Sequence, residues 1–450
     1  MFDKKNIKIY DSLSNSVRPF KPIKENEISM YVCGPTVYNH NHIGNARPVI
    51  FFDMVKKYFE YVGYNVKMVM NFTDIDDKII KKAIEENITE TEVSEKYIEA
   101  FLSLCDSLNC DQDVVRPRVT KTMDEIVDFI DKLQEKEYAY QSGDDVFFRV
   151  KKVSDYGALS NQQLEELESG SRINVNDQKE DPRDFTLWKK TSDNGKKWES
   201  PFGAGRPGWH TECVVMIHKI LGNLIDIHGG GNDLKFPHHE NEIAQAMALC
   251  NNKIANYWLH NARVDLGGQK MSKSLGNIVL AKDVVSEYGA EATRLMILSN
   301  HYRQNINYSQ ELMTSSVTEW NKIKNTKNSL QRKLELADNA KEGTLLPIMD
   351  DFLTELGNDF NTSNAFTLVY KLLKEINSSL RYPNVDINLL CDQYKTLSDM
   401  LSILGINTCL PMLTDKEKAL VISWQNARKE KNFELADKLR KEITEAGIIL

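Results

Sequence analysis

The fold is decided by residues 28–72, ISMYVCGPTVYNHNHIGNARPVIFFDMVKKYFEYVGYNVKMVMNF. Residues 28–33 form a short apolar run, which predicts a buried strand. Apolar side chains then recur at spacings of three and four, which predicts a helix over 46–62 that ends at Gly63. Residues 66–72 predict a second strand. The order strand, turn, helix, strand is typical of a parallel crossover unit.

The turn of this unit carries the motif His42-Ile43-Gly44-Asn45. It follows a strand of an open α/β sheet, where ligands bind, and it opens a helix whose N-terminus attracts phosphate groups. A second motif, Lys270-Met271-Ser272-Lys273-Ser274, suits a mobile cationic loop that closes over phosphates. Taken alone, the histidine also fits a helix cap or a core group, and the lysine motif also fits a surface loop. The sequence has no Gly-x-x-x-x-Gly-Lys loop, so nucleotide binding would depend on these two motifs.

Composition describes a globular chain with several cores. Its 450 residues are 41% hydrophobic and 27% charged, and this length is expected to form about two to four domains. The apolar run at 48–59 is interrupted by Asp53, Lys56 and Lys57, so it predicts a buried helix and not a membrane span. The mixed polar start predicts no signal peptide. A net charge of −8 argues against a non-specific nucleic-acid coat protein but leaves room for a local basic path.

The pattern of the first unit is interrupted and later resumes. Residues 116–205 hold helical stretches and polar, turn-rich segments such as 169–171 and 192–195, and they predict an insertion between two halves of the sheet domain. The sheet is predicted to resume at 224–228. The glycine-rich stretch Gly229-Gly230-Gly231-Asn232-Asp233 then permits close backbone approach to a ligand.

The remainder of the chain is predicted to be mainly helical. A helix from Pro237 through 248 has proline in its preferred first turn, and helical periodicity dominates after residue 308. Residues 318–333 hold five basic groups against one acid, which fits either a solvated helix face or a stripe that faces RNA. Residues 416–450 predict two short amphipathic helices.

Two of the seven cysteines, Cys33 and Cys213, belong to a candidate metal set. His238 and Glu242 are four apart in a predicted helix, so both side chains lie on one face. Two thiolates, an imidazole and a carboxylate suit zinc. The two cysteines are not at a zinc-finger spacing, buried thiols are a plain alternative, and His239 could replace His238. The odd, scattered cysteines give no disulfide framework and indicate a reducing cytosol.

Four longer stretches surround these residues. They are Tyr31-Val32-Cys33-Gly34-Pro35-Thr36-Val37-Tyr38, Thr73-Asp74-Ile75-Asp76-Asp77-Lys78, Gly208-Trp209-His210-Thr211-Glu212-Cys213 and Phe236-Pro237-His238-His239-Glu240-Asn241-Glu242. Together with the two phosphate motifs, they resemble the cysteinyl-tRNA synthetase family of class I aminoacyl-tRNA synthetases. The resemblance keeps the same order along the chain and loosens toward the C-terminus.

The resemblance implies an α/β protein with the Rossmann-type parallel sheet of class I synthetases, an insertion in that sheet domain, and mainly helical C-terminal domains. The implied regions are the first half of the catalytic nucleotide-binding domain at 1–115, a connective insertion at 116–205, the second catalytic half at 206–262, a stem-contact region with the lysine loop at 263–315, a tRNA-binding helical bundle at 316–408 and a small anticodon-recognition region at 409–450.

The resemblance also implies a reaction. L-Cysteine is activated with ATP to cysteinyl-adenylate and transferred to the 3′ end of tRNA(Cys). One Zn²⁺ per chain, held by Cys33, Cys213, His238 and Glu242, selects the substrate thiolate, because a soft ligand separates cysteine from serine better than pocket shape does. Mg²⁺ accompanies ATP. The partners implied are tRNA(Cys), ATP and L-cysteine, with no membrane, and we expect a cytoplasmic monomer.

Individual roles carry over onto matching positions. The implied catalytic residues are His42, Asn45, Lys270 and Lys273; the implied ATP contacts are His42, Gly44, Asn45, Gly230, Asp233 and Lys273; and the implied amino-acid contacts are Gly34, Thr73 and Trp209. Asn45 departs from the class, which usually has histidine there; asparagine donates a hydrogen bond but carries no charge.

Two rival functions share this site. A tRNA-independent ligase would join activated cysteine to an amino-sugar through the same adenylate, and the helical region after Tyr308 argues against it because a small acceptor does not need that region. A catalytically silent RNA- or zinc-binding relative would usually have lost a loop lysine or a metal ligand, and this chain keeps them.

Overall fold

The computed structural model describes residues 2–161, 178–191, 195–271, 276–337, 339–382, 385–408 and 410–449. The strands are β1 Lys8–Asp11, β2 Ser16–Pro19, β3 Glu27–Val32, β4 Asn65–Met70, β5 Ala139–Ser142, β6 Asp145–Phe148, β7 Phe185–Lys190, β8 Gly205–Pro207, β9 Ile225–Gly231, β10 Ala255–Asn261, β11 Val264–Leu266, β12 Gln269–Lys270 and β13 Ile306–Tyr308. The α-helices are α1 Ile43–Tyr61, α2 Asp77–Glu86, α3 Glu90–Ser107, α4 Met123–Glu135, α5 Trp209–Ile220, α6 Glu240–Cys250, α7 Ala281–Tyr288, α8 Ala290–Leu298, α9 Gln310–Glu335, α10 Ile348–Gly357, α11 Thr362–Ser379, α12 Ile387–Ile403, α13 Asp415–Lys429 and α14 Phe433–Glu445.

A four-stranded parallel sheet in the order β10-β9-β3-β4 is the centre of the catalytic region. β3 and β4 pair with Ile28 opposite Val66, and α1 connects them, so the predicted crossover unit is confirmed. The helix begins three residues earlier than predicted, because the amide of Asn45 already bonds to the carbonyl of His42 (2.8 Å). Its buried face includes Phe52 and Phe59, which join the main apolar core.

The insertion contains a four-stranded antiparallel sheet, β5-β6-β7-β8, beside α4. The sequence predicted only helical and turn-rich segments here. The strands were missed because three of the four are only three or four residues long, too short for a clear alternation. Residues 169–171 and 192–194 of the predicted turns lie outside the described residues. The fully buried Trp188 and Phe148 give this region a second apolar core.

The chain after Tyr308 is helical, as predicted. Helix α9 packs against α11 and α12, and α13 and α14 are the two predicted C-terminal helices. Of the five basic residues at 318–333, Lys327 and Arg332 are buried, so they belong neither to a solvated face nor to a stripe that faces RNA. The guanidinium of Arg332 pairs with Glu335 (2.7 Å) and donates to the carbonyl of Pro411 (2.9 Å), so it serves packing and not an exposed stripe.

Across the described ranges, none of the helices is both long and apolar enough for a membrane crossing.

Candidate active site

Four side chains from four separate segments meet at the end of the parallel sheet. Cys33 follows β3, Cys213 is in α5, His238 lies in the turn before α6, and Glu242 is in α6. Their ligand atoms all lie within 4.8 Å of one another. Cys213, His238 and Glu242 are buried, with at most 1% of each exposed, while Cys33 is partly accessible. We call these four residues the thiol cluster.

The separations in the thiol cluster fit a tetrahedral metal site. The two Sγ atoms are 3.6 Å apart, and the Sγ of Cys213 is 3.6 Å from Nε2 of His238. A tetrahedral zinc with ordinary bond lengths separates two sulfurs by about 3.8 Å, and a sulfur from an imidazole nitrogen by about 3.6 Å. Nε2 of His238 is closer to Oε1 of Glu242, at 2.9 Å, as in a hydrogen-bonded pair. The residues therefore fit a metal ion.

The ionisation of the thiol cluster also fits a bound cation. Burial raises the pKa of the Cys33 thiol well above its ordinary value, whereas the hydrogen bond from Cys33 lowers the pKa of Cys213 to about 6. The opposite shifts of these two pKa values mean that the two sulfurs share one proton. Burial would raise the pKa of Glu242, but His228 and His238 outweigh it and hold that pKa well below its ordinary value. A buried thiolate beside a buried carboxylate needs a compensating cation, which a metal ion or the imidazolium of His238 can supply. Burial lowers the pKa of His238, but Glu242 and Cys213 outweigh it and raise that pKa to about 10.

The turn that supplies His238 differs from its prediction. Residues Lys235–His239 form one widened helical turn with a cis peptide bond at Phe236-Pro237, and α6 begins at Glu240. Pro237 is therefore not the first residue of the α-helix. The four-residue spacing still brings His238 and Glu242 together, because the turn leads directly into the helix.

Buried histidines surround the thiol cluster, and the sequence reasoning missed most of them. Nε2 of His228 donates to Oε2 of Glu242 (2.7 Å). His239 lies with Nε2 3.3 Å from the Sγ of Cys33 and Nδ1 2.8 Å from Nε2 of His260. A second possible metal set of Cys33, His228, His239 and Glu242 therefore overlaps the first. The signal that could have found His228 and His260 is their position on β9 and β10, next to the central strand.

A cleft of about 240 Å³ lies beside the thiol cluster and gathers the phosphate motifs. Its lining includes Cys33 and Gly34 at one end and His42, Gly44, Asn45, Asp233 and Lys270 along its walls. A side chain at position 44 would place Cβ 2.9 Å from the ring of His42, so glycine there keeps the backbone open. Gly230, an implied ATP contact, does not line this cleft, whereas its neighbour Gly231 does.

The segment before the lysine motif is a tight hairpin. Leu266 pairs with Gln269 across Gly267-Gly268, and both glycines have positive φ, as a two-residue turn requires. The pair Gly267-Gly268 is thus the turn between β11 and β12. Nζ of Lys270 pairs with Oδ2 of Asp233 at 3.1 Å, with both side chains about half exposed. Lys273 lies outside the described residues.

The implied amino-acid contacts are near the cluster but not all on one cavity. A Cβ at Gly34 would lie 1.7 Å from the carbonyl oxygen of Asn71, so this position admits only glycine. Thr73 is buried and donates to Oε2 of Glu212 (3.2 Å). Trp209 stacks on His238 at 4.2 Å between ring centroids and lines a second cavity against the insertion.

Two known protein families match parts of this chain. Residues 19–318 match the family described as "tRNA synthetases class I (C) catalytic domain", and residues 351–408 match the family described as "DALR domain". A cysteine–tRNA ligase of Shouchella clausii (strain KSM-K16) is 46% identical over 99% of this chain and 97% of its own. One of Bacillus licheniformis is 44% identical over 98% of this chain and 96% of its own.

Solved structures share the fold at low identity. Methionyl-tRNA synthetase of Mycobacterium tuberculosis, in complex with methionyl-adenylate, has a TM-score of 0.61 at 15% identity, covering 88% of this chain and 91% of its own. A leucyl enzyme (LeuRS) of Agrobacterium radiobacter K84, in a ternary complex, has a TM-score of 0.60 at 10% identity, covering 87% and 86%. The family matches and the full-length relatives place the protein in the cysteine–tRNA ligase family of class I tRNA synthetases.

Proposed function

We propose that the chain activates L-cysteine with ATP and transfers it to tRNA(Cys), and that the thiol cluster selects the substrate through a bound zinc ion. One observation supports this most strongly: Cys33 belongs both to the thiol cluster and to the lining of the nucleotide cleft. A cysteine held at the cluster would therefore have its carboxylate directed toward the cleft where ATP binds.

The ligands proposed are Cys33, Cys213, His238 and Glu242. This set is favoured over the one with His228 and His239 because it has two thiols, which zinc binds well. Zinc bound there would supply a soft Lewis acid that prefers the thiolate of cysteine to the hydroxyl of serine. His228 holds the carboxylate of Glu242 in place, and Trp209 holds the ring of His238 by stacking.

The adenylation step needs no protein nucleophile. The cysteine carboxylate attacks the α-phosphate, the bond to the bridging oxygen breaks, and pyrophosphate leaves. His42 and the N-terminus of α1 would hold phosphate oxygens, with Gly44 leaving room for the nucleotide. Lys270 and Lys273 would neutralise the charge that grows on pyrophosphate, with Mg²⁺ accompanying ATP. Asp233 would bind the ribose hydroxyls, which requires Lys270 to leave its ion pair with Asp233.

The helical region after Tyr308 would bind tRNA. In this proposal the region consists of a helical bundle at 316–408 and an anticodon-recognition region at 409–450. The DALR match at 351–408 lies inside the helical bundle. The amino-sugar alternative receives no support, because the cysteine–tRNA ligases are similar along nearly the whole chain, including this region. A cytoplasmic location and a monomeric state stay predictions.

The test is ATP–pyrophosphate exchange with cysteine and with serine, on the purified enzyme and on enzyme stripped of metal by a chelator. We expect exchange with cysteine but not with serine, loss of exchange on stripping, and recovery with zinc. Charging of bulk tRNA with labelled cysteine then tests the acceptor. Exchange that survives complete metal removal would contradict the zinc proposal, and exchange without any charging would favour a small-molecule acceptor.

A further inference from the structure

A second set of buried polar residues lies near the start of α1. Arg47, two residues after the His42 motif, is 1% exposed. Among the described residues it has no carboxylate partner; its four hydrogen bonds all go to backbone carbonyls. They are Nη1 to Ala262 (2.9 Å) and Arg263 (2.9 Å), and Nη2 to His301 (3.1 Å) and Gln304 (2.6 Å).

The carbonyls that Arg47 binds belong to two different loops. Ala262 and Arg263 follow β10 and line the nucleotide cleft, while His301 and Gln304 lie between α8 and β13. The loops are also joined by backbone, since the amide of Ala262 donates to the carbonyl of Tyr302 (2.8 Å). The wall of the cleft is thus held in place by the loop at 301–304.

That loop is bound on its other side by one carboxylate of the helical region. Asp359, between α10 and α11, is 4% exposed and lies within the DALR match. Its Oδ1 accepts from the hydroxyl of Tyr302 (2.7 Å) and the amide of Tyr10 (2.9 Å). Its Oδ2 accepts from Nε (2.9 Å) and Nη2 (2.7 Å) of Arg303. The carboxylate therefore has four donors from two segments outside the helical region.

The backbone at this point is unusual. Asp359 and Phe360 have φ of +58° and +52°, a left-handed conformation that side chains other than glycine seldom adopt. The strain is offset because Phe360 packs against Phe51 of α1 and Tyr302, at ring distances of 5.9 Å and 6.4 Å. Strained backbone conformations that surrounding contacts hold in place are common at functional sites.

We propose that Asp359 and Arg47 are positioning residues that transmit the placement of the helical region to the nucleotide cleft. The route runs from Asp359 through Arg303 and Tyr302 to the carbonyls at 301–304, then through Arg47 to Ala262 and Arg263. The ATP site is correctly shaped when the helical region is seated on this loop. The inference rests on the proposed function, in which that region binds tRNA while ATP binds in the cleft.

The test compares Asp359→Asn and Arg303→Gln with a matched control, Asp392→Asn. Asp392 is in α12 of the same helical region and accepts from the amide (2.6 Å) and hydroxyl (3.1 Å) of Thr344, without contact to the 301–304 loop. Each variant is assayed by cysteine-dependent ATP–pyrophosphate exchange at varied ATP and varied cysteine. Thermal melting records how far each change destabilises the fold.

We expect Asp359→Asn and Arg303→Gln to raise the KM for ATP about three- to tenfold. The KM for cysteine should stay within about twofold, and the double variant should be no worse than Asp359→Asn alone, because both changes break one link. Asp392→Asn should leave the KM for ATP unchanged at a comparable loss of melting temperature. A rise in the KM for ATP in Asp359→Asn and Arg303→Gln, but not in Asp392→Asn, separates a positioning role from a general loss of stability.

Equal KM values for ATP in Asp359→Asn, Arg303→Gln and Asp392→Asn would overturn the inference, as would a parallel rise in the KM for cysteine. If Asp359→Asn fails to fold, Arg303→Gln decides, since the Arg303 side chain is 40% exposed and tolerates change more readily. Absence of exchange in the unaltered enzyme and in Asp392→Asn would instead overturn the proposed function, and this inference with it.

Discussion

The thiol cluster and the nucleotide cleft lie next to each other but are organised differently. The cluster is buried, its ligand atoms are within 4.8 Å of one another, and further histidines hold its members in place. The cleft is open, and two of the charged groups that line it, Lys270 and Asp233, are half exposed and paired with each other. With the roles proposed above, the amino-acid site would be formed before substrate arrives, whereas the phosphate site would have to rearrange around ATP.

The largest effect is expected from breaking the cluster with Cys213→Ser. A hydroxyl is a poor zinc ligand, so zinc content should fall from about one per chain toward zero, and exchange with cysteine should fall about a hundredfold or more. Metal analysis and pyrophosphate exchange measure the two quantities. Cys250→Ser, at a half-buried thiol outside the cluster, is the control and should change neither. Retained zinc in Cys213→Ser would mean that the other ligand set is used.

The next effect comes from the cleft. Lys273→Ala should slow adenylate formation about tenfold to a hundredfold, because a charge that stabilises the departing pyrophosphate is lost. Zinc content should stay near one per chain, which is the sharpest contrast with Cys213→Ser. Lys282→Ala, at an exposed lysine of α7, is the matched control. Unchanged exchange in Lys273→Ala would remove the lysine motif from the proposed chemistry.

A smaller effect is expected from the support of the cluster. His228→Leu removes the donor to Oε2 of Glu242 (2.7 Å), and the affinity for zinc should fall about ten- to a hundredfold. Activity should return in excess zinc, because the four ligands remain. A zinc titration followed by exchange tests this, with His218→Leu, at the partly buried His218 outside both ligand sets, for comparison. If excess zinc restores nothing, His228 acts on the substrate and not on the ligand.

The smallest effect on the catalytic region should come from removing residues 414–450. Both the cluster and the cleft lie outside this segment, so exchange should stay within about twofold, while charging of tRNA should drop strongly. Ending at 413 keeps the carbonyl of Pro411 that Arg332 binds (2.9 Å). A matching loss of exchange and charging would show that α13 and α14 are needed for folding and not for RNA.

Much of this arrangement could be predicted from the sequence, for reasons tied to particular residues. The crossover unit was predictable because periodicity over 46–62 is strong and because Val66 begins a second apolar run. The four cluster residues could be named from chemistry and resemblance. Their proximity could not be, since 180 residues separate Cys33 from Cys213 and only the sheet brings them together.

Other features were beyond sequence reasoning. The strands of the insertion are too short to show a period. The ion pair of Lys270 with Asp233 depends on the position at which the β11–β12 hairpin ends, which the sequence does not show. The burial of Lys327 and Arg332 reverses what their charge suggests. The head group of Arg332 meets the carboxylate of Glu335, and Nζ of Lys327 lies 5.5 Å from the ring centroid of Tyr394. The contacts of Asp359 join segments up to 349 residues apart in the sequence.

The hydrogen bond from His228 to Glu242 has a consequence for coordination number. An oxygen that already accepts a short hydrogen bond is a poor second donor to a cation, so Glu242 is expected to coordinate through Oε1 alone. Monodentate attachment avoids crowding around the ion. It would leave space for an incoming sulfur beside the four protein ligands.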